Sequence, residues 1–176
     1  VIMEPFHELY PSQCRIFYLD PVFVTLRASG DRWQLDFDEL ESALKDAKIL
    51  MLNTPHNPTG KVFTRGELKK IVVLCLKYDV YIITDDIYEH IVFIDEKHLL
   101  VPKEFPEIAS RTLVCNSLGK SASATGWRVG WCLHPQHVRD TYRGIHDQMA
   151  VMSPHPMLYA TLNYLTLPDG YFVELA

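Results

Sequence analysis

Residues 48–88 read KILMLNTPHNPTGKVFTRGELKKIVVLCLKYDVYIITDDIY, and this stretch contains a strand, a helix and a second strand in turn. The runs at 48–53 and 80–84 are short, apolar and bounded by turn formers, which predicts buried strands. Between them, Thr64 and Glu67 have capping-box spacing, and the apolar stripe that follows predicts a helix to about Tyr78. A strand, a helix and a strand in this order are typical of a parallel α/β unit.

The same alternation continues on both sides of this stretch. Further strand-like runs lie at 1–3, 22–26, 112–116 and 129–133. Helical patterns lie at 36–44, from His134-Pro135 toward Met152, and from near Met157. We therefore expect one compact α/β sandwich with a mostly parallel sheet, in which the chemistry gathers at the carboxyl ends of the strands.

The composition removes two classes of function. The 176 residues include 17 Lys and Arg against 22 Asp and Glu, which gives a net charge of −5, and 48% of them are hydrophobic. A protein that binds nucleic acid through phosphates carries a basic excess, and no apolar run here approaches the length of a membrane span. We therefore expect neither a nucleic-acid partner nor a membrane. The four widely spaced cysteines predict free thiols and an intracellular location, in the cytoplasm or an organelle.

Three predicted strands are followed by polar side chains at the point where each strand ends. These are Asn53 and Asn57 after the first strand, Asp85 and Tyr88 after the second, and Ser117 and Lys120 after the third. Because neighbouring parallel strands end at the same edge of a sheet, we expect these side chains to form one site.

A lysine amine is a nucleophile only when deprotonated, which burial and a neighbouring cation both favour. Arg128 can be that cation for Lys120, and its guanidinium can also bind a phosphate through two parallel hydrogen bonds. The Ser117 hydroxyl can donate to the same phosphate.

A buried carboxylate such as Asp85 needs a cationic partner, and a protonated pyridine nitrogen meets that need. The phenol of Tyr88 and the amide of Asn57 suit a negatively charged ring oxygen. Together with the lysine and the phosphate donors, these residues describe pyridoxal 5′-phosphate held as a Schiff base on Lys120.

Four motifs in this order resemble those of the class I and II aminotransferases, which are pyridoxal phosphate enzymes of fold type I. They are Asn57-Pro58-x-Gly60, Asp85-x-x-Tyr88, Ser117-x-x-Lys120 and Gly126-Trp127-Arg128-Val129-Gly130-Trp131. Within the family, the chain is most similar to the kynurenine, glutamine and methionine aminotransferase branch. The stretches that carry this finer resemblance are Glu4-Pro5-Phe6, Asn53 to Asn57, and Ser123 to Trp127.

The resemblance implies a three-layer α/β/α sandwich with a mostly parallel mixed sheet, and a role for each motif residue. Lys120 is the Schiff-base lysine and proton shuttle, Asp85 holds the pyridine nitrogen protonated, Asn57 and Tyr88 bind the ring oxygen, Ser117 and Arg128 bind the phosphate, and Phe6 lies against the ring face with Asn53 nearby. The implied reaction passes an amino group from an amino acid to a 2-oxo acid.

The resemblance also implies that residues 1–176 are part of the large domain, without an N-terminal segment and a C-terminal small domain. Family chains are more than twice as long, and they include an upstream phosphate loop and a downstream arginine for the substrate carboxylate. Members are usually homodimers, so we expect the parent protein to dimerise. Asp86 stands where the family usually has Glu.

Other interpretations of the same residues remain open from the sequence. A cysteine-conjugate β-lyase or a cyclopropane-forming (ACC) synthase would use the same scaffold, and a non-catalytic relic would keep the motifs without a complete site. Ser117-x-x-Lys120 also matches penicillin-recognising enzymes, but the Lys-Thr-Gly and Ser-Asp-Asn motifs of that class are absent from the sequence. His134 and His137 have a spacing that can hold a metal, without an evident third ligand.

Overall fold

The computed structural model of the chain describes residues 1–94 and 96–175. Its strands are β1 (Ile2–Glu4), β2 (Phe23–Ser29), β3 (Arg32–Leu35), β4 (Ile49–Asn53), β5 (Tyr81–Asp85), β6 (Thr112–Ser117) and β7 (Gly130–Leu133). Its α-helices are α1 (Leu9–Ile16), α2 (Phe37–Leu44), α3 (Arg65–Lys77), α4 (Val101–Glu104), α5 (Arg139–Met149), α6 (His155–Tyr164) and α7 (Asp169–Glu174). Short 3₁₀ helices cover Pro106–Arg111, Thr125–Trp127 and Gln136–Val138.

The strands form one seven-stranded sheet in the order β3-β2-β1-β4-β5-β6-β7. The five central strands are parallel, while β3 and β7 are antiparallel strands at the two edges. The prediction of a mostly parallel mixed sheet is therefore confirmed. The six strand segments predicted from the sequence correspond to β1, β2, β4, β5, β6 and β7, with shifts of at most three residues at their ends.

The helix α3 begins where the sequence predicts, because Thr64 and Glu67 form a complete capping box. The Thr64 hydroxyl accepts a hydrogen bond from the Glu67 amide at 3.2 Å, and Glu67 Oε2 accepts one from the Thr64 amide at 2.9 Å. This exchange satisfies two amides that have no partner inside the helix. The buried residues of α3 are those of the predicted stripe: Leu68, Ile71, Val72 and Cys75.

The main core lies on one face of the sheet. Leu40 and Leu44 of α2 and the buried residues of α3 pack there with strand residues such as Leu50 and Ile82, all of which are fully buried. In β4 and β5, the residues between these buried positions are only half-buried or exposed, so the burial of the side chains alternates along each strand. Continuous apolar runs predict burial on both faces, but the described helices cover the second face less completely.

Two elements differ in position from their prediction. The helix after Pro135 starts as a 3₁₀ turn and α5 ends at Met149 rather than Met152. The next helix, α6, begins at His155 and includes Pro156 in its first turn, where the missing N–H of proline costs no hydrogen bond. The hairpin of β2 and β3 was not predicted, and Gly30, at φ +63°, makes its two-residue turn possible.

None of the helices within residues 1–94 and 96–175 is long and apolar enough to cross a membrane.

Candidate active site

The predicted site residues lie at one end of the sheet, where the parallel strands finish at their carboxyl ends. Asn53 is the last residue of β4, Asp85 the last of β5 and Ser117 the last of β6, and these three strands are parallel neighbours. Lys120 follows β6 by three residues. The sheet topology therefore places the acid at position 85 and the amine at position 120 at the same edge, as the site interpretation requires.

Asp85 is a partly buried carboxylate with a phenol as its closest partner. The Tyr10 hydroxyl of α1 donates to Asp85 Oδ2 at 2.6 Å, and the Ile87 amide donates to Oδ1 at 3.3 Å. Burial raises the pKa of Asp85, while the hydrogen bonds from Tyr10 and Ile87 oppose that increase. Burial and the Asp85 charge also raise the pKa of Tyr10, so its hydroxyl remains a donor.

Tyr10 is a site residue that the sequence analysis did not identify. It lies 75 positions before its partner, in a helix that the sequence patterns did not predict. The only local indication is that it follows Phe6, which the resemblance placed at the site, by about one helical turn.

Asn53 joins the ends of β4 and β5 to the turn that follows β4. Its Nδ2 donates to the Asp85 carbonyl at 2.8 Å, and its Oδ1 accepts from the Asn57 amide at 2.6 Å. The side chain is almost fully buried. Asn57 Nδ2 in turn donates to the Tyr88 hydroxyl at 3.3 Å, which brings the amide of the first motif and the phenol of the second together.

Lys120 is half-buried, and its Nζ lies 5.7 Å from the centre of the Tyr88 ring. The turn before it is tight, because a Cβ on Gly119 would lie 3.1 Å from Ser117 Oγ and 3.4 Å from Thr125 Cα. The Thr125 hydroxyl closes this turn by donating to the Gly119 carbonyl at 2.9 Å. Glycine at position 119 thus allows the backbone to present Lys120 beside Tyr88.

Ser117 and Arg128 lie at the junction of β6 and β7. Ser117 Oγ accepts a hydrogen bond from the Gly119 amide at 3.1 Å, and Ser117 pairs with Gly130 in the sheet. Arg128 is exposed, has a left-handed backbone at φ +55°, and donates to the Thr125 carbonyl at 3.2 Å. Its guanidinium is therefore near the same turn.

Phe6 stacks on Phe23 of β2, with ring centres 5.2 Å apart and an angle of 25° between the rings. The contacts above join five of the predicted residues directly: Asn53, Asn57, Asp85, Tyr88 and Lys120. Ser117 and Arg128 contact the 119–125 turn, and Phe6 contacts Phe23 instead.

Asp86 is fully buried and belongs to a separate polar cluster. The Thr84 hydroxyl donates to Asp86 Oδ2 at 2.5 Å, and His98 Nε2 lies 3.2 Å from Oδ1. Asp86, at a position where the resemblance implies a Glu, therefore lies in this buried cluster.

His134 and His137, whose spacing could hold a metal, have other contacts. His137 Nε2 lies 3.1 Å from the Tyr81 hydroxyl, and the His134 ring packs 5.0 Å from that of Tyr142. Within the described part of the chain, no group of three or more His, Cys, Asp or Glu side chains can hold a metal ion.

Comparisons with known proteins give the family. The model of the family "Aminotransferase class I and II" matches residues 1–174. Human kynurenine–oxoglutarate transaminase 3 is 41% identical over 147 residues, which cover 78% of this chain and 32% of that protein.

Two solved structures are similar in fold. N-succinyldiaminopimelate aminotransferase from Mycobacterium tuberculosis has a TM-score of 0.94 at 30% identity, over 99% of this chain and 45% of that one. A putative aminotransferase from Clostridium difficile, solved with pyridoxal phosphate bound, has a TM-score of 0.79 at 25% identity, over 86% and 40% of the two chains. The chain thus spans 32% to 45% of the length of these three proteins. The resemblance found in the four motifs is confirmed, and the chain belongs to the class I and II aminotransferases.

Proposed function

We propose that this chain binds pyridoxal 5′-phosphate and performs its part of a transamination between an L-amino acid and a 2-oxo acid. The observation that carries the proposal is the contact chain from Asp85 through Asn53 and Asn57 to Tyr88 and Lys120. It places an acid, an amide, a phenol and an amine at one edge of the sheet. Membership of the aminotransferase family supports the same activity.

The chemistry of the side chains fits this cofactor. Asp85 would face the pyridine nitrogen, because a buried carboxylate is stabilised by a cationic partner. Asn57 and Tyr88, which already lie within 3.3 Å of each other, would donate to the ring oxygen. Ser117 and Arg128 would bind the phosphate, and Phe6 would lie against the ring. When bound, the cofactor withdraws electrons from the substrate Cα and so makes its proton acidic.

Lys120 would bond to the cofactor and move the proton between substrate and cofactor atoms. The Tyr88 ring, 5.7 Å from Nζ, holds the amine of Lys120 at the site through a cation–π contact before the reaction begins. Tyr10 and Ile87 stabilise the charged form of Asp85, which keeps its partner nitrogen protonated. Each residue therefore either positions a group or moves a proton at a defined atom.

The substrate class that we propose is kynurenine or a related aromatic, glutamine-like or sulfur-containing amino acid, with 2-oxoglutarate as the acceptor. The similarity to human kynurenine–oxoglutarate transaminase 3 supports this choice. A panel of amino donors with several 2-oxo acids would rank the substrates. Release of pyruvate and ammonia from a cysteine conjugate, without dependence on an oxo acid, would instead indicate a β-lyase.

We also propose that residues 1–176 belong to the large domain of this enzyme, that the parent protein is a homodimer, and that it works in a reducing intracellular compartment. The apolar residues exposed at the end of α1, Ile16, Phe17 and Tyr18, support a subunit contact. Light scattering of the full-length parent protein and of its Phe17→Asp variant would test the dimer. A monomer in both cases would contradict it.

The cofactor proposal is tested by mixing the chain with pyridoxal phosphate. We expect a new absorption band that borohydride removes, with the cofactor then fixed to the peptide that contains Lys120. The Lys120→Ala variant should show no such band, while Lys69→Ala, which replaces an exposed lysine of α3, should behave as the unchanged chain. An unchanged band in Lys120→Ala would overturn the assignment.

A further inference from the structure

Cys115 and Cys132 face each other across two strands. They are Cα partners in the antiparallel pair of β6 and β7, and all four cysteines of the chain carry free thiols. Directly opposed residues in such a pair have Cα atoms roughly 4.5 to 5.5 Å apart and side chains on the same face. Disulfides form at Cα separations of about 4.4 to 6.8 Å, so the backbone already holds these two thiols at a suitable spacing.

The pair is next to the candidate site. Asp85 of β5 is the Cα partner of Cys115, so Asp85, Cys115 and Cys132 form a row across three adjacent strands. Side chains in such a row lie on the same face of the sheet. The two cysteines are each half-buried, whereas Cys75 is fully buried in the main core.

The two thiols have different acidities. The interaction with the Cys115 thiol lowers the pKa of Cys132 to about 7, and His134 and Tyr142 act in the same direction against burial. The same interaction, together with burial, raises the pKa of Cys115. Cys132 is therefore the nucleophile of the pair, and Cys115 retains its proton until it reacts.

We propose that Cys115 and Cys132 form a reversible redox pair, which a small-molecule disulfide such as oxidised glutathione converts to a protein disulfide. The Cys132 thiolate attacks one sulfur of the small disulfide and displaces the other as a thiolate, which leaves a mixed disulfide. Cys115 then loses its proton and attacks the Cys132 sulfur, and the second small thiol leaves. Two protein thiols and one small disulfide thus give one protein disulfide and two small thiols.

The rate advantage follows from the acidity of Cys132. Near pH 7, a thiol with a pKa of about 7 is half ionised, whereas an ordinary thiol is ionised to only a few per cent. Because nucleophilicity falls as the pKa falls, the net gain in rate is roughly three- to fourfold. The pair should therefore react before the other cysteines do.

The test treats the chain with mixtures of oxidised and reduced glutathione near pH 7, then blocks the remaining thiols and digests the protein with trypsin. Cleavage after Lys120 and Arg128 separates the two cysteines. We expect a linked pair of peptides that is two hydrogen atoms lighter than the separate peptides and that a dithiol reductant separates. The Cys14→Ser variant should form the same link at an unchanged rate.

The Cys132→Ser variant should slow the oxidation of Cys115 by roughly threefold or more, and circular dichroism would show whether that variant keeps the fold. The measurement on the unchanged chain decides the proposal even if the variant unfolds. Free thiols at both positions in fully oxidised glutathione would overturn it. A mixed disulfide on Cys132 that Cys115 never displaces would overturn it equally.

Discussion

The Tyr10 hydroxyl donates a 2.6 Å hydrogen bond to Asp85 Oδ2, and this bond joins α1 to the end of β5. It is the shortest contact of the carboxylate that we propose to face the cofactor. A hydrogen bond to a charged group is stronger than one between neutral groups, and burial strengthens it further. Tyr10 thus helps to decide whether Asp85 is charged.

The Tyr10→Phe variant should be less stable at neutral pH by about 1–2 kcal/mol, because it removes a hydrogen bond from a partly buried carboxylate. It should also raise the pKa of Asp85 further, since the bond opposes the effect of burial. Burial already raises this pKa above its unfolded value, so the stability due to Asp85 falls as pH rises through the folded pKa. Urea unfolding across that range should show a deficit of the variant that grows with pH.

The matched control is Tyr159→Phe, because Tyr159 of α6 is 73% exposed. That variant should change the free energy of unfolding by less than about 0.5 kcal/mol at every pH. Equal effects of the two variants would contradict the role given to Tyr10.

His56 should make the protein less stable in mild acid. The side chain is buried, and burial followed by the Lys61 charge lowers its pKa from 6.5 to about 4. The unfolded chain therefore binds a proton between about pH 6.5 and 4 that the folded chain does not, and stability falls as pH falls through this range. The shift corresponds to a loss of about 3 kcal/mol, and a His56→Asn variant should show a flatter decline in urea unfolding.

His155 is exposed at the start of α6 and provides the control. A His155→Gln variant should retain the full decline. If His56→Asn and the unchanged chain lose stability in parallel, another group is responsible.

A methyl group at position 130 should disturb the end of β6. A Cβ on Gly130 would lie 2.9 Å from the Asn116 carbonyl oxygen and 3.1 Å from Ser117 Cβ, so the strand that carries Ser117 must move. We expect Gly130→Ala to cost about 1–3 kcal/mol in thermal or urea unfolding and to weaken the binding of pyridoxal phosphate.

The same substitution at Gly144, in the middle of α5, meets nothing within 4 Å. Gly144→Ala should stabilise the protein by about 0.5–1 kcal/mol, because alanine is the better helix former. A Gly130→Ala variant as stable as Gly144→Ala would show that the end of β6 moves to accommodate the methyl group without a cost in stability.

Removal of the Thr64 hydroxyl should weaken the start of α3. Thr64→Ala removes the acceptor of the Glu67 amide and should cost about 1 kcal/mol in urea unfolding. The exposed Thr141 of α5 offers the comparison, and Thr141→Ala should be neutral or slightly stabilising. A neutral effect at Thr64 would mean that water replaces the lost bond without cost.

The sequence predicts the secondary structure and the fold class better than the contacts between side chains of distant segments. The capping box of Thr64 and the alternation of strands and helices are local patterns, and both are confirmed. The position of Asp85 and Lys120, at the carboxyl ends of neighbouring parallel strands, follows from topology alone. The Tyr10–Asp85 bond and the Cys115–Cys132 pairing join distant segments, and no local pattern encodes them. The hairpin at Gly30 had a local signal in its glycine, but β3 is too short to stand out.

Asn53 uses both ends of its amide on the backbone, one on Asp85 and the other on Asn57. The two segments are consequently joined to each other by hydrogen bonds within the protein. An incoming aromatic ring would meet a rim whose shape is already set, so little chain entropy would be lost when it docks. Association should then proceed at a rate governed by encounter rather than by rearrangement of this turn.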